Sequence, residues 1–248
     1  MKILVCISHV PDTTSKINFV DDNTKFDTNG VQFVINPNDE FGLTRAMWLK
    51  DQLQATVDVV TVGKKECEPT MRKALAIGAD NGIRIDAQAI DGYQVAQEIA
   101  HVAKEGAYDL IIAGRESIDY NGGMVPGMLA KMLGYGFVNK CVQMDIENDT
   151  AKITREMDGG KEKLSAKLPL VIGGQKGLVE ESDLKIPNMR GIMMARKKPL
   201  NVKEPQNPQH KTETKTFEKP APKGEVKMVD AENLDELIDL LHNEAKVI

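Results

Sequence analysis

Glycines and backbone amides between Leu110 and Leu129 offer the clearest chemistry in the sequence. An apolar run ends at Gly114, a polar loop follows, and a helical pattern begins near Val125. Glycine lets a loop backbone approach a ligand closely, and the unpaired N–H groups at the start of a helix favour an anion. The N–H groups in this position are those of Gly122, Gly123, Met124 and Val125. The spacing predicts a phosphate cradle, and a plain glycine-rich turn between a strand and a helix explains it about equally well.

A second polar segment, Asn36-Pro37-Asn38-Asp39, precedes a helical pattern that begins near Glu40. Asn and Asp are favoured at the start of a helix because their side chains accept hydrogen bonds from unpaired N–H groups. One interpretation is therefore a helix cap with its Asx turn. The other is an Asn side chain that reaches a nucleotide from the top of a sheet.

Other kinds of chemistry have weaker support. His9 and Asp12 follow the first predicted strand and could exchange a proton, but a short polar loop beside a nucleotide explains them equally well. The four histidines lie in different segments and form no metal-binding pair. No G-x-x-x-x-G-K-[ST] motif is present, so nucleotide hydrolysis is not expected. We therefore expect neither catalytic residues nor a metal site.

The composition excludes several classes of protein. The 248 residues carry a net charge of -5, which argues against a general nucleic-acid binder because phosphate neutralisation needs a basic excess. The chain is 41% hydrophobic, and no apolar run approaches the roughly 18 residues of a membrane span, so we expect a soluble protein without membrane insertion. Three cysteines without C-x-x-C spacing indicate a reducing compartment. The first residues do not read as a signal peptide, which predicts a cytoplasmic location.

Short apolar runs alternate with helical patterns from the N-terminus to about residue 135. The predicted strands cover residues 3–7, 57–62, 83–85 and 109–114. This alternation is typical of an α/β protein with a doubly wound, mostly parallel, Rossmann-like sheet. In such a sheet, ligands bind beyond the carboxyl ends of the strands at the point where the strand order reverses. Cys6–Ser8, Val62-Gly63 and the 114–125 loop would meet there.

The pattern changes after Gly134. Residues 150–168 alternate in side-chain character on both sides of Asp158-Gly159, which predicts an added β-hairpin. The apolar run from Leu168 to Gly174 predicts a buried strand. Residues 184–198 combine basic side chains with apolar side chains that we expect to be exposed, so this loop requires a functional explanation.

The C-terminal region lacks the periodicity of the rest. Residues 201–224 are rich in Pro, Lys, Gln and Thr, which predicts an extended linker. Asp230 is predicted to cap a terminal amphipathic helix, which must dock on the body of the chain or on a partner. The chain is therefore divided into an α/β domain of residues 1–200 and an arm of residues 201–248. Within the domain, a helical stripe predicted to face the core comprises Met124, Met128 and Met132.

The predicted hairpin carries the most specific motif of the chain. Its residues are Ile153, Arg155, Asp158, Gly159, Gly160, Glu162, Leu164, Pro169, Val171 and Ile172. Position by position, this motif resembles the signature of the beta subunits of electron transfer flavoproteins, and the resemblance runs from the first strand to the terminal helix. Gly173 departs from it, because the family usually has Thr, Ala or Cys there. Further matches are Asn36-Pro37, residues 74–80, Gly114-Arg115, Ile118-Asp119 and residues 190–198.

The resemblance implies an adenine-nucleotide-binding domain and a heterodimer. In that family an alpha subunit holds most of the FAD, and the beta subunit buries an AMP as a structural nucleotide. The positions carried over as nucleotide contacts are Cys6, Asn36, Pro37, Asn38, Asp39, Val62, Gly114, Arg115, Ser117, Ile118, Asp119, Asn121, Gly122, Gly123, Met124 and Val125. The Tyr120–Met124 stretch departs from the family's more acidic and amide-rich version. We therefore rely on the backbone of this loop more than on its side chains.

The resemblance also implies a docking role for residues 184–198, which correspond to the family's recognition loop. Met189 falls where the apolar anchor is usually Leu, and Ile192 and Arg196 lie beside it. The basic residues expected to steer an acidic partner surface are Arg190, Arg196, Lys197 and Lys198. By this reasoning, acyl-CoA or related dehydrogenases reduce the shared FAD, as in fatty acid oxidation, and electrons pass to a quinone oxidoreductase.

Two alternatives remain open from the sequence. Within the same family, a bifurcating type holds a second FAD in place of AMP and takes electrons from NADH. Outside it, a stand-alone adenine-nucleotide sensor explains the first 135 residues but gives the hairpin, the basic loop and the terminal helix no purpose.

Overall fold

The computed structural model describes residues 1–222 and 224–248 and contains one large sheet with helices on both faces. The strands are β1 (Lys2–Cys6), β2 (His9–Pro11), β3 (Phe19–Val20), β4 (Lys25–Phe26), β5 (Phe33–Ile35), β6 (Thr56–Val62), β7 (Asn81–Ile85), β8 (Leu110–Gly114), β9 (Gly136–Glu147), β10 (Thr150–Met157), β11 (Gly160–Lys167), β12 (Leu170–Gly174) and β13 (Leu200–Lys203). The α-helices are α1 (Pro37–Leu53), α2 (Glu68–Ile77), α3 (Gly92–Gly106), α4 (Val125–Leu133), α5 (Met189–Ala195) and α6 (Leu234–Asp239). Short 3-10 turns cover Lys65–Cys67 and Glu181–Asp183, and a π-helical turn covers Leu240–Glu244.

The strand order places the predicted switch point beside the first strand. The nine-stranded sheet has the order β11-β10-β9-β12-β8-β1-β6-β7-β13. From β1 the chain passes outward to β6 and β7, then crosses to β8 on the other side of β1, and every pairing among these strands is parallel. The prediction of an α/β, doubly wound, mostly parallel sheet is therefore confirmed.

Alternate side chains of the central strands bury against different helix pairs. Ile3 and Val5 lie in the apolar cluster formed with α1 and α2, while Leu4 belongs to the cluster formed with α3 and α4. Strands covered on both faces need nearly continuous apolar sequences, and β8 is buried along its whole length. The predicted boundaries of β1, β6, β7 and β8 each lie within two residues of the observed ones.

The predicted hairpin is present, but it is not a separate addition to the sheet. β10 and β11 pair antiparallel around the Asp158-Gly159 turn, and the long strand β9, which the sequence did not predict, joins this hairpin to β12. The alternation of buried and exposed side chains along β9 is interrupted: Val138 is buried, and the next buried residues are the adjacent pair Cys141 and Val142. Its ladders to β10 and β12 shift register in the same region, which identifies a bulge.

Two predictions about helices were wrong. Leu129 and Ala130 form the buried face of α4, and Met124 lies exposed just before the helix, so of the predicted methionine stripe only Met132 packs against the core. The terminal helix is capped by Asn233, whose side-chain oxygen accepts from the Glu236 N–H, and not by Asp230. Asp230 instead accepts from the Glu232 N–H in the turn that precedes the helix.

The arm follows a fixed path over the domain. Residues 201–203 belong to β13, which pairs with β7, so the sheet extends past the predicted boundary at residue 200. Asp91, which caps α3, and Glu98 and Glu105 within the helix are spaced seven residues apart, which aligns them along one face of α3. Glu105 pairs with Lys203, Glu98 accepts two backbone N–H groups at residues 206–207, and Asp91 accepts two at residues 211–212. Farther along, Phe217 stacks on Phe19 with ring centroids 4.9 Å apart.

No helix within the described residues is long and apolar enough to cross a membrane.

Candidate functional site

The predicted site lies at the carboxyl edge of the sheet, where β1 and β8 are neighbours. Cys6 ends β1 and Gly114 ends β8, while Val62 ends β6 on the other side of β1. Residues 36–39 form the start of α1, and residues 115–124 form the loop between β8 and α4. The structure thus brings the sequence-predicted segments to one end of the strands, as the switch-point rule requires.

Asp39 joins three of these segments. Its Oδ2 accepts a 2.7 Å hydrogen bond from the Ser8 N–H, and its Oδ1 accepts a 2.8 Å bond from the Gly114 N–H. A Cβ at position 114 would overlap the Asp39 carboxyl group, so Gly114 is required for this close approach. Burial raises the pKa of Asp39 to about 7, although the N–H groups that it accepts from act in the opposite direction. Asp39 is therefore a buried connection beneath the site.

Asn36 and Asn38 hold the loop that follows β8. Both side-chain amides donate 3.0 Å hydrogen bonds to the Glu116 carbonyl oxygen, and the Asn36 Oδ1 accepts from the Ile118 N–H at 3.2 Å. Asn36 occupies the capping position of α1, yet its side chain makes no capping bond. The expected Asx cap is absent because that side chain is committed to the loop, which lies some 80 residues away in sequence.

The loop itself presents an open row of backbone donors. Asn121 and Gly123 have left-handed backbone angles, with φ of 50° and 60°, which turn the chain into α4. Within the described chain, no hydrogen bond is donated by the N–H groups of Gly122, Gly123, Met124 and Val125. Gly122 and Gly123 have no atom closer than 3.6 Å to an added Cβ, so the space beside them is open. Four unpaired donors at the N-terminus of a nine-residue helix fit a phosphate group.

The remaining predicted contacts support the site from below or from the side. The Arg115 guanidinium pairs with the Glu116 carboxylate at 2.5 Å, so it is not a free anion ligand in this arrangement. Cys6 is buried, and burial, followed by the charge of Asp39, raises the pKa of its thiol. Val62 and Val125 pack against the same apolar cluster. Ser117 and Ile118 are half-buried in the loop, and Asp119 is exposed at its edge.

The His9 and Asp12 pair does not form a proton-transfer arrangement. The His9 Nδ1 lies 2.8 Å from the Thr70 hydroxyl, and its ring stacks on Phe33 at 4.3 Å. The Asp12 carboxylate instead accepts from the backbone and hydroxyl of Thr14. Among the described residues, no group of three or more His, Cys, Asp or Glu side chains could hold a metal ion.

The basic segment forms a short helix rather than a loop. Met189 and Ile192 lie on α5, and Arg196 follows it; the Met189 side chain is 75% exposed. The exposed apolar side chains of this segment are Ile186, Met189, Ile192, Met193 and Met194. Arg190, Arg196 and Lys197 are exposed beside them, but Lys198 is turned inward onto backbone carbonyls of α2 and its end. Lys198 therefore does not contribute to the steering charge expected from the sequence.

Comparisons with known proteins establish the family. The electron transfer flavoprotein domain model matches residues 23–208, and electron transfer flavoprotein subunit beta of Bacillus subtilis is 34% identical over the whole of both chains. The chain belongs to the electron transfer flavoprotein beta-subunit family. The same-named protein of Bradyrhizobium diazoefficiens is 31% identical over the whole of both chains. The human one is 34% identical, with 83% of this chain and 82% of its own length covered.

At Gly173, where the chain departs from the signature, the Asn139 side chain lies close to the backbone. A Cβ at position 173 would overlap the side-chain oxygen of Asn139, which reaches across from β9. That oxygen is buried and has no hydrogen-bond partner among the described residues. A residue with a side chain at position 173 would displace Asn139, so the two positions depend on each other.

Sequence reasoning missed several residues that build the site. The backbone of Ser8 and the carbonyl of Glu116 are the points to which Asp39 and the two asparagines bind. No side-chain type signals these backbone partners. The Asn-Pro-Asn-Asp run was the only available signal, since its side chains supply the bonds.

Proposed function

We propose that this chain is the beta subunit of a two-chain electron transfer flavoprotein. It binds AMP at the loop of residues 114–125, helps to enclose an FAD held mainly by an alpha subunit, and docks acyl-CoA-type dehydrogenases so that electrons pass to a quinone oxidoreductase. The bound FAD supplies the redox chemistry, and the side chains of this chain bind, orient and dock. The observation that carries the proposal is the open row of N–H donors at the switch point of a family member.

The nucleotide proposal rests on the hydrogen bonds that already fix the first part of the loop between β8 and α4. Asp39, Asn36 and Asn38 tie the first part of the loop to β1 and α1 through bonds of 2.7–3.2 Å. The donors of residues 122–125 are therefore presented from a fixed frame, and a phosphate needs to order only the exposed half of the loop. Preorganisation of this kind lowers the entropy cost of binding, which suits a nucleotide that stays bound through turnover.

The proposal of a partner subunit rests on the end of the arm. The exposed apolar side chains of this region are Val226, Met228, Leu234, Leu237, Ile238, Val247 and Ile248. An isolated helix as short as α6 is marginal in water without tertiary packing. The arm contacts α3 as far as residues 211–212 and then packs on Phe19 through Phe217. The exposed apolar side chains of residues 226–248 follow this last contact in sequence. We infer that this apolar face packs on the alpha subunit.

The docking proposal rests on α5. Its apolar side chains are exposed beside three basic residues, as expected of a surface that binds an acidic partner transiently. Electrostatic attraction raises the association rate without slowing dissociation, which a carrier that must leave its dehydrogenase requires.

Counting nucleotides tests the proposal. The chain is co-expressed with its presumed alpha subunit, the complex is purified and denatured, and the released nucleotides are quantified by chromatography. One FAD and one AMP per heterodimer are expected. Two FAD would replace the AMP proposal with the bifurcating type, and a chain that binds ATP without a partner would support the sensor instead.

A pair of variants tests the partner surface in the same preparation. Leu234→Asp with Ile238→Asp places two charges on the apolar face of α6 and should abolish co-purification of the alpha subunit. Asp235→Ser, on the polar face of the same helix, is the matched control and should leave it intact. Retention of the alpha subunit by the double variant would exclude this face as the interface.

A further inference from the structure

The docking helix α5 lies directly on the end of α2. Ala195 is buried, and a Cβ at position 191 would overlap the Ala76 carbonyl oxygen. Gly191 therefore lets the backbones of the two helices touch. α5 has only seven residues and exposes most of its apolar side chains, so its N-cap, in which the Asn188 Oδ1 accepts from the Gly191 N–H, is not enough by itself to keep it helical.

One basic side chain of α2 satisfies carbonyl groups at the end of α5. The Arg72 Nη1 donates to the Ala195 carbonyl oxygen at 2.7 Å and to the Lys198 carbonyl oxygen at 2.8 Å. The last carbonyls of a helix have no partner within the helix, and a cation near them also interacts favourably with the helix dipole. Arg72 is thus a cap for α5 that comes from another helix.

A lysine in the chain after α5 donates in turn to carbonyl groups at the end of α2. The Lys198 Nζ donates to the Leu75 carbonyl oxygen at 2.9 Å and to the Ala79 carbonyl oxygen at 2.6 Å. Burial lowers the pKa of Lys198, and the nearby charge of Lys50 acts in the same direction. Lys50 itself donates to the Gly78 carbonyl oxygen at 3.1 Å, so the end of α2 carries two cations. Lys198 is held against these carbonyls at the cost of its hydration.

We propose that Arg72 and Lys198 are positioning residues that fix α5 by this reciprocal exchange of caps and so set the orientation in which Met189 meets a dehydrogenase. This inference rests on the docking role proposed above for α5. The exchange links both ends of the contact, since carbonyls at the end of each helix accept from a side chain outside that helix. Removing either cation takes the side-chain donors from one helix end and leaves α5 attached to α2 by the other cation and by the contacts of Ala195 and Gly191.

The test measures electron transfer from an acyl-CoA dehydrogenase to the purified heterodimer, with the heterodimer as the varied substrate. Arg72→Met and Lys198→Met keep most of the apolar stem and remove the donors. We expect KM for the heterodimer to rise about tenfold while kcat stays within about twofold and flavin content is unchanged. Arg72→Lys and Lys198→Arg, which retain a cation in a different donor geometry, should restore KM only in part.

Two comparisons make the outcome specific. Lys50→Met removes a cation from the same end of α2, but Lys50 donates to Gly78 and Asp80 and to no described residue of α5, so the KM of this variant should equal that of the wild type. Amide hydrogen exchange of residues 189–195 should be faster in Arg72→Met and Lys198→Met, while the peptides of β1 and β8 are unchanged. An equal rise of KM in Lys50→Met would reduce the effect to general weakening of α2 and overturn the inference.

The docking role and the positioning role fail in different ways. If Met189→Ala raises KM but Arg72→Met and Lys198→Met do not, the positioning inference is wrong and the docking proposal stands. If Met189→Ala also leaves KM unchanged, α5 is not the docking surface and both fail. Should Arg72→Met not fold, Arg72→Lys, with fewer donors in a different geometry, should give an intermediate KM, and a wild-type KM there would count against the inference.

Discussion

Replacing Gly123 by alanine tests the phosphate cradle through its backbone. Gly123 has a φ of 60°, and an added Cβ would meet no atom closer than 3.6 Å, so the substitution introduces strain but no steric overlap. A non-glycine residue in the left-handed region costs about 1–2 kcal/mol. The unliganded loop can relax away from this strain, because the four N–H groups that follow the turn are unpaired. Binding must then restore the strained backbone.

The expected cost appears in nucleotide affinity. A penalty of about 1–2 kcal/mol corresponds to roughly 5- to 30-fold weaker AMP binding. The assay removes the nucleotide from the wild-type and Gly123→Ala heterodimers and titrates AMP back by calorimetry. The amount of AMP that remains after extensive dialysis of the untreated complexes gives an independent measure.

Gly134→Ala is the matched control. Gly134 ends α4 with a φ of 72° and has no atom within 4 Å of an added Cβ, so it carries the same backbone strain at the opposite end of the same helix. It should lower thermal stability and leave AMP affinity unchanged. Equal affinity of Gly123→Ala and the wild type would refute the cradle, and an equal loss in Gly134→Ala would attribute the effect to α4 stability.

Three further predictions concern docking, stability and the arm. Met189→Ala removes a side chain that is 75% exposed, so if a dehydrogenase buries it, KM should rise roughly 5- to 30-fold, from about 1–2 kcal/mol of lost burial; steady-state rates of dehydrogenase oxidation check this. Burial raises the pKa of Asp39 from 3.8 to about 7, so the folded chain binds the proton more tightly and this carboxyl lowers stability as pH rises through that window. Asp39→Asn removes the titration, and urea unfolding should show the variant gaining up to about 4 kcal/mol relative to the wild type between about pH 4 and pH 7; a difference that does not vary with pH would exclude the shift. Phe217→Ala removes the 4.9 Å stack on Phe19, which lies in the hairpin formed by β3 and β4. Limited proteolysis should then cut within residues 17–27 faster than in the wild type, and identical cleavage rates would mean that the arm does not stabilise the β3–β4 hairpin.

The sequence predicted the central strands well because helices cover both faces of the sheet there, so most of their side chains are apolar. β1 and β8 are buried on both faces, so their apolar runs are continuous and are bounded by polar turns, and β6 keeps four valines around the buried Asp58 and Thr61. β9 was missed because its bulge shifts the alternation between Val138 and Cys141, and Lys140 there has a left-handed backbone. A search for strict two-residue alternation of apolar side chains therefore does not recognise the whole of β9. β13 was missed because it is a short edge strand with mostly exposed side chains.

The site was predicted as a location but not as a set of bonds. The glycines of residues 122–123 and the switch-point rule were enough to find the loop. The bonds of Asn36 to residues 116 and 118 depend on tertiary contacts that no local pattern encodes, so neither the cap nor the nucleotide interpretation included them; the nucleotide contact stays a prediction. Lys198 was counted as surface charge because a lysine is usually exposed, and only the carbonyls at the end of α2 draw it inward.

Amide hydrogen exchange at residues 122–125 gives the most direct test of the nucleotide site. In the heterodimer with AMP, the N–H groups of Gly122, Gly123, Met124 and Val125 should exchange much more slowly than in the same complex after AMP is removed, and adding AMP back should restore the slow rates. Peptides of β11, far from the loop along the sheet order, should not change. Bound AMP that leaves the exchange of these four amides unchanged would contradict the account.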